Sequence, residues 1–187
     1  MSLLWELPRS AVIGGKTYVI NADYRDILEI MGYLEDTSEK EAVRWQIAIA
    51  LFYEGEIPRE HQQEAMEYLA RFITCGEQDE TPGPKLLDWE QDAQPIIADV
   101  NKVAGKEIRE LEFLHWWTFL AFFHAIGEGQ LSTLVSIRDK LHRGKPLEKW
   151  EQEYYRKNQS RVDLKNRYSA QDLEIMERFN QLLGGAK

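Results

Sequence analysis

The run LEFLHWWTFLAFFHAI, residues 111–126, holds a greater density of large apolar and aromatic side chains than any other stretch of this 187-residue chain, and it limits the fold more than any motif does. At helical spacing, Leu111, Leu114, Phe119 and Phe122 share one side, while Trp116, Trp117, Leu120 and Phe123 wrap most of the rest. A helix apolar nearly all round belongs in the middle of a bundle or in a membrane. Spanning a bilayer takes about 20 apolar residues, and here Glu112, His115 and His124 interrupt a shorter run. The pattern predicts a central helix of a helical domain, starting between Ile108 and Glu110 and stopped by Gly127 and Gly129. Leu114, Trp116, Phe119, Leu120 and Phe123 are the expected centre of its core.

The flanking sequence predicts what that helix packs against. Two β-branched and aromatic runs, 11–13 and 16–20, meet at Gly14-Gly15, a two-residue hairpin signal. Asn21 or Asp23 can cap a helix through about Leu34 with Tyr24, Ile27, Leu28 and Met31 on its apolar stripe. Ser38 and Glu41 have the spacing of a capping box ahead of a helix that buries Val43, Ile47, Ala50 and Leu51 and runs to about Tyr53. Pro58 suits the first turn of a helix carrying Met66, Leu69 and Phe72 to a stop at Gly76. EQDETPGPK, residues 77–85, reads as a surface loop. Asp88 can cap the next helix, in which Pro95 predicts a kink or a late start. A short amphipathic helix follows, with Leu131, Leu134, Val135, Ile137 and Leu141, ended by Gly144 and Pro146. From 147 to 168 the sequence is charged, with Trp150 and Tyr154 almost alone as apolar anchors, so this helix is expected to be largely solvated or held by a partner. Leu173, Met176, Phe179, Leu182 and Leu183 form the stripe of a last helix. The expected fold is mainly α, a bundle of about six to eight helices with a small N-terminal β-hairpin packed on it. It divides into a hairpin-plus-helix core over 1–146 and a charged helical extension over 147–187 within one domain.

Composition excludes several functions. A formal net charge of -9 opposes a phosphate-binding or anionic-membrane surface, both of which require clustered Lys and Arg. One cysteine, Cys75, permits neither an internal disulfide nor a cysteine zinc site and suits a reducing compartment. The first eight residues lack the basic and apolar regions of a signal peptide.

Few residues are arranged for chemistry. Glu112 and His115 would share a helix face and match half of a carboxylate di-metal site, but no second Glu-x-x-His exists. Asp88, Glu90 and Asp92 could gather a hard cation, yet the glycine and distal glutamate of a calcium loop are missing, and capping explains the cluster more simply. The histidines are dispersed, Gly14-Gly15-Lys16 lacks phosphate-loop spacing, and Trp116-Trp117 sits among apolar and acidic neighbours rather than basic ones. No catalytic, cofactor-binding or metal-binding residue is expected, and no small-molecule substrate.

Five pieces of the chain, in order, carry a family resemblance: VIGGKTYVINADYRDIL (12–28), FITCGE (72–77), DWEQDA (88–93), LEFLHWWTFLAFFHAI (111–126) and, more loosely, WEQEYYRKNQ (150–159). They resemble the bacteriophage gene-product-fifteen family, small proteins from the tail-assembly region of long-tailed phages, and Leu114-His115-Trp116-Trp117 is the most specific of the matches. The resemblance implies a non-enzymatic role in tail morphogenesis. Such genes typically lie between those for the tail tube and the tape-measure protein, where assembly chaperones that keep the tape-measure protein soluble are encoded. The resemblance thus implies a tape-measure or other tail protein as partner, and the host cytoplasm as its location during assembly. A structural tail or head–tail connector component retained in the virion is the alternative, and homo-oligomerisation is compatible with either. An amphipathic helix of the partner would need an apolar groove rimmed by charge. That surface is expected on Leu131, Leu134, Val135 and Leu141, on Trp150 and Tyr154, and on Leu173, Met176 and Phe179.

Overall fold

Gly14 and Gly15 take φ of 56° and 76°, the left-handed pair that a two-residue hairpin turn demands. In the computed structural model, which describes residues 6–76 and 83–165, they fold β1 (Ser10–Ile13) antiparallel onto β2 (Lys16–Val19), with Ser10 opposite Val19 and Ile13 opposite Lys16. Alternation along the strands turns Ala11, Ile13 and Tyr18 into the core and leaves Val12 and Val19 exposed. Two strands alone are marginal, and helices support them.

Seven helices follow in the described residues, so the chain is mainly α with an N-terminal hairpin, as the pattern predicts. Asp23 is the cap of α1 (Tyr24–Glu35), its carboxylate accepting the Arg25 N–H at 3.0 Å. The capping box expected at Ser38 does not form: Lys40 occupies the cap of α2 (Glu41–Phe52) without a side-chain bond, and the Ser38 N–H instead donates to Asp36. The buried face of α2 also differs, being Ala48, Ile49 and Phe52, while Ala50 is exposed. The sequence around Ile47 is apolar on several sides, and the hairpin decides which side is covered: Phe52 and Tyr53 are held by Asn21 N–H to Phe52 O and by an Ile20–Tyr53 bridge.

A 3-10 turn at Arg59–His61 separates Pro58 from α3 (Gln62–Ile73), which buries Ala65, Leu69 and Phe72. This helix braces the hairpin, with Gly14 N–H donating to Glu64 at 2.8 Å and Tyr68 O–H to Ser10 O at 3.3 Å. Its left-handed terminator is Cys75 (φ 53°), one residue before the predicted stop at Gly76. Gly76 N–H reaches back to Arg71 O and Cys75 N–H to Phe72 O, the two bonds of a Schellman ending.

Of the two outcomes predicted for Pro95, the late start is the one observed: α4 (Ala93–Ala104) begins two residues before the proline, where a missing N–H costs nothing. The aromatic run is only partly helical. A 3-10 turn at Ile108–Glu110 leads into extended backbone, and α5 begins at Trp116 and ends at His124. α6 (Gln130–His142) and α7 (Lys149–Val162) complete the described helices. Gly129, the α6 cap, must be glycine for space rather than for φ, because a Cβ there would overlap the Asp99 carboxylate.

One core unites the hairpin, α1 to α5 and Leu131, with Trp116 and Phe119 each 1% exposed. The Phe119 ring lies between Tyr24, stacked at 4.9 Å, and Trp116, at 5.5 Å. Leu114 and Leu120 are buried as expected, whereas Phe123 is half-buried and closes the rim against Trp89 at 5.0 Å. A smaller cluster of Leu134, Ile137 and Val162 joins α6 to α7. Trp116→Ala should destabilise the protein by roughly 3–5 kcal/mol in denaturant titrations. A loss below about 1 kcal/mol would place that ring outside the core.

Candidate functional site

The expected partner surface dissolves in part on folding. Leu131 and Leu134 are 4% and 1% exposed and Val135 packs against the main core, because α4 and α7 cover the stripe of α6. Leu131 and Leu134 are core residues of this chain, and Val135 is half-buried. Tyr154 is also turned inward, against the Leu134–Val162 cluster. Leu141 and Trp150 do stay exposed, at 39% and 53%. Leu173, Met176 and Phe179 lie outside the described residues. Of the two expected aromatic anchors of α7, Tyr154 packs inward and Trp150 does not, and further anchors join Tyr154. Glu151 and Val162 are each 1% exposed, and Glu151 takes Lys140 on both oxygens at 2.6 and 2.8 Å. Leu141 and Trp150 are chain neighbours of that ion pair, and the Trp150 indole N–H is tied to Glu148 at 2.9 Å.

The Leu114-His115-Trp116-Trp117 tetrapeptide builds a junction. Residues 22–24 and 114–116 pair antiparallel: Tyr24 N–H donates to Leu114 O at 2.9 Å and Trp116 N–H to Ala22 O at 2.8 Å. The second oxygen of Asp23 accepts the Leu114 N–H at 2.9 Å, so one buried carboxylate caps α1 and fixes the approach to α5. His115 is the cap of α5. Its Nδ1 accepts the Trp117 N–H at 3.1 Å, which leaves Nε2 as the protonated nitrogen donating to Pro8 O at 3.0 Å. The two indoles then close α3, with Trp116 Nε1–H on Ile73 O and Trp117 Nε1–H on Phe72 O, both 2.9 Å. Together with Thr74 N–H on Ala70 O and Gly76 N–H on Arg71 O, all four final carbonyls of α3 are satisfied.

This geometry also removes the premise of a metal pair at Glu112 and His115, which are not on a helix and share no face. Among the described residues no three His, Cys, Asp or Glu side chains gather as metal ligands would.

The acidic DWEQDA piece does not cap α4 as predicted: Asp92 stands at the cap position without a side-chain bond to the helix, and Asp88 closes the turn before it. Asp88 accepts the N–H groups of Glu90 and Gln91. Asp92 accepts the Asp88 N–H and forms a buried bidentate pair with Arg138, at 2.6 and 2.9 Å. Arg138, 5% exposed, spends its remaining donors on the carbonyls of Leu86, Arg161 and Val162. Gln91 adds bonds to Arg161 O, Asp163 O and Lys165 N–H. The 86–92 loop, α6 and the end of α7 are thus fastened at one buried guanidinium. Nothing local in the sequence marks Arg138; its place on the apolar side of α6, one residue after Ile137, is the only sign.

Burial lowers the His115 pKa, opposed by its bond to Pro8 and reinforced by nearby Arg9. An unfolded chain then takes up the proton first, so stability present above about pH 6.5 is lost as pH falls below that value. His115→Asn, which can still cap, should flatten this part of the stability-versus-pH curve measured by denaturation. A slope unchanged between pH 7 and about pH 5 would contradict the neutral-cap assignment.

A comparison with protein families matches residues 4–164 to the family described as Bacteriophage Gp15 protein. No curated protein and no solved structure matches the chain. The match covers well over half of the sequence, including the hairpin, the acidic turn, the tryptophan junction and all seven described helices, and the chain belongs to the bacteriophage Gp15 family.

Proposed function

We propose that this phage protein acts in tail morphogenesis as an assembly chaperone, binding the tape-measure protein and keeping it soluble until tube subunits enclose it. Membership of the Gp15 family carries the reading. Two further features support it. The aromatic and acidic groups that would suggest a reactive site are consumed in caps and buried pairs, which fits a binding protein rather than an enzyme. The chain is strongly acidic, and no helix among the described residues is long and apolar enough to cross a membrane, so protein surfaces are the natural targets. Leu141 and Trp150, exposed beside the Lys140–Glu151 pair, are the part of the expected α6–α7 surface still available to a partner.

Co-expression with the tape-measure protein of the same phage should raise its soluble fraction and yield a co-purifying complex. Leu141→Glu with Trp150→Glu should weaken that complex while leaving the melting temperature close to wild type. Unchanged solubility with nothing co-purifying would refute the chaperone role. Stoichiometric amounts in purified particles, measured by mass spectrometry, would replace it with a structural subunit of the virion.

A further inference from the structure

Two adjoining cavities of about 320 and 290 Å³ share Glu29, Gly32, Glu35 and Glu90, forming one trough between α1 and the 88–92 turn. Its floor is apolar, made by Leu28, Met31 and Trp89. The Trp89 ring is fixed from the core side by Trp116 at 6.0 Å and Phe123 at 5.0 Å, so the floor is preformed.

Gly32 is the unexpected residue. It lies inside α1 without a positive φ, and a Cβ at that position would meet nothing within 4 Å. A glycine inside a helix is less favourable than alanine, because it loses more backbone freedom on folding. Neither backbone conformation nor crowding within this chain accounts for it. An incoming backbone that packs against α1 would.

Charge selects the occupant. Glu29, Glu35 and Glu90 line the trough, so its edges are acidic. A second copy of the chain brings its own net charge of -9 and is repelled. Residues 166–187 carry Arg167, Arg178 and Lys187 against Asp172, Glu174 and Glu177, and so have no net attraction to an acidic rim. A trough lying along a helix, with an apolar floor and acidic edges, suits an amphipathic helix whose polar face is basic. We propose that the α1 groove over Gly32 receives a lysine- or arginine-bearing amphipathic helix of a partner protein. The assignment goes beyond the tail-assembly role, since it fixes the chemistry of the partner segment without requiring that it come from the tape-measure protein.

The test uses the full-length protein and a labelled helical peptide of about four turns with a leucine stripe and lysines elsewhere, beside a twin with glutamates in place of lysines. Fluorescence anisotropy should show binding of the lysine peptide that weakens as salt rises, and at least about tenfold weaker binding of the twin. Glu29→Lys with Glu90→Lys should invert that preference. Gly32→Ala should hold or raise the melting temperature, and Gly32→Trp should abolish binding while circular dichroism stays native. Absence of binding, equal binding of both peptides, or wild-type binding by Gly32→Trp would each overturn the proposal. So would tenfold tighter binding after Met176→Asp with Phe179→Asp, which would assign the groove to the chain's own tail. Self-association lost in Gly32→Trp would overturn it in favour of a second copy. Peptide binding alongside failed tape-measure co-expression would keep the groove and remove the chaperone role.

Discussion

Two helices of this protein start from one short backbone pairing, and most of the fold is arranged around it. Residues 22–24 and 114–116 are far apart in sequence yet exchange two backbone hydrogen bonds, and each segment supplies a helix cap, Asp23 for α1 and His115 for α5. Because caps satisfy N–H groups that would otherwise be buried unpaired, each at a cost of about 1–3 kcal/mol, the pairing determines where both helices begin as well as how they meet. The tryptophans that follow at once then terminate α3. Three helix ends therefore meet at residues 114–117, with Asp23 supplying the cap of α1.

This explains why the most apolar stretch of the chain is not one long helix. Periodicity identifies burial at Leu114, Trp116, Phe119 and Leu120, and the structure buries all four. It does not reveal that Leu111 to His115 are non-helical, because hydrogen bonding across the fold competes with the helix there, and Asp23 offers the Leu114 N–H a partner that no local pattern announces. The same limit applies elsewhere. The hairpin at Gly14-Gly15, a cap at Asn21 or Asp23 and the stop at Gly144 were legible because each is a local requirement of backbone conformation or capping, and the structure takes Asp23. The face of α2 and the role of Arg138 were not, since both depend on what packs against them. Leu131 and Leu134 show the converse error: an apolar stripe at the edge of the predicted core looks available to a partner until α4 and α7 cover it.

Around that junction, surface and core divide the labour. Aromatic residues, buried acids and Arg138 hold the architecture, with the 86–92 loop, α6 and α7 locked through the Asp92–Arg138 pair. Removing one member of such a pair leaves an uncompensated buried charge, so it fixes arrangement more surely than it adds stability. What is left for recognition is the exposed end of α6 and α7 and the acidic groove along α1. The proposed recognition rests on these two surfaces, and neither needs the tryptophan motif to touch a partner directly.

Native-state hydrogen exchange followed by NMR tests that structural role most directly. If the 22–24 and 114–116 pairing holds the fold together, the amides of Tyr24, Leu114 and Trp116 will exchange only through global unfolding, with protection equal to that of the α5 core. Exchange of these three amides at the rate of exposed loop residues, while α5 stays protected, would contradict it.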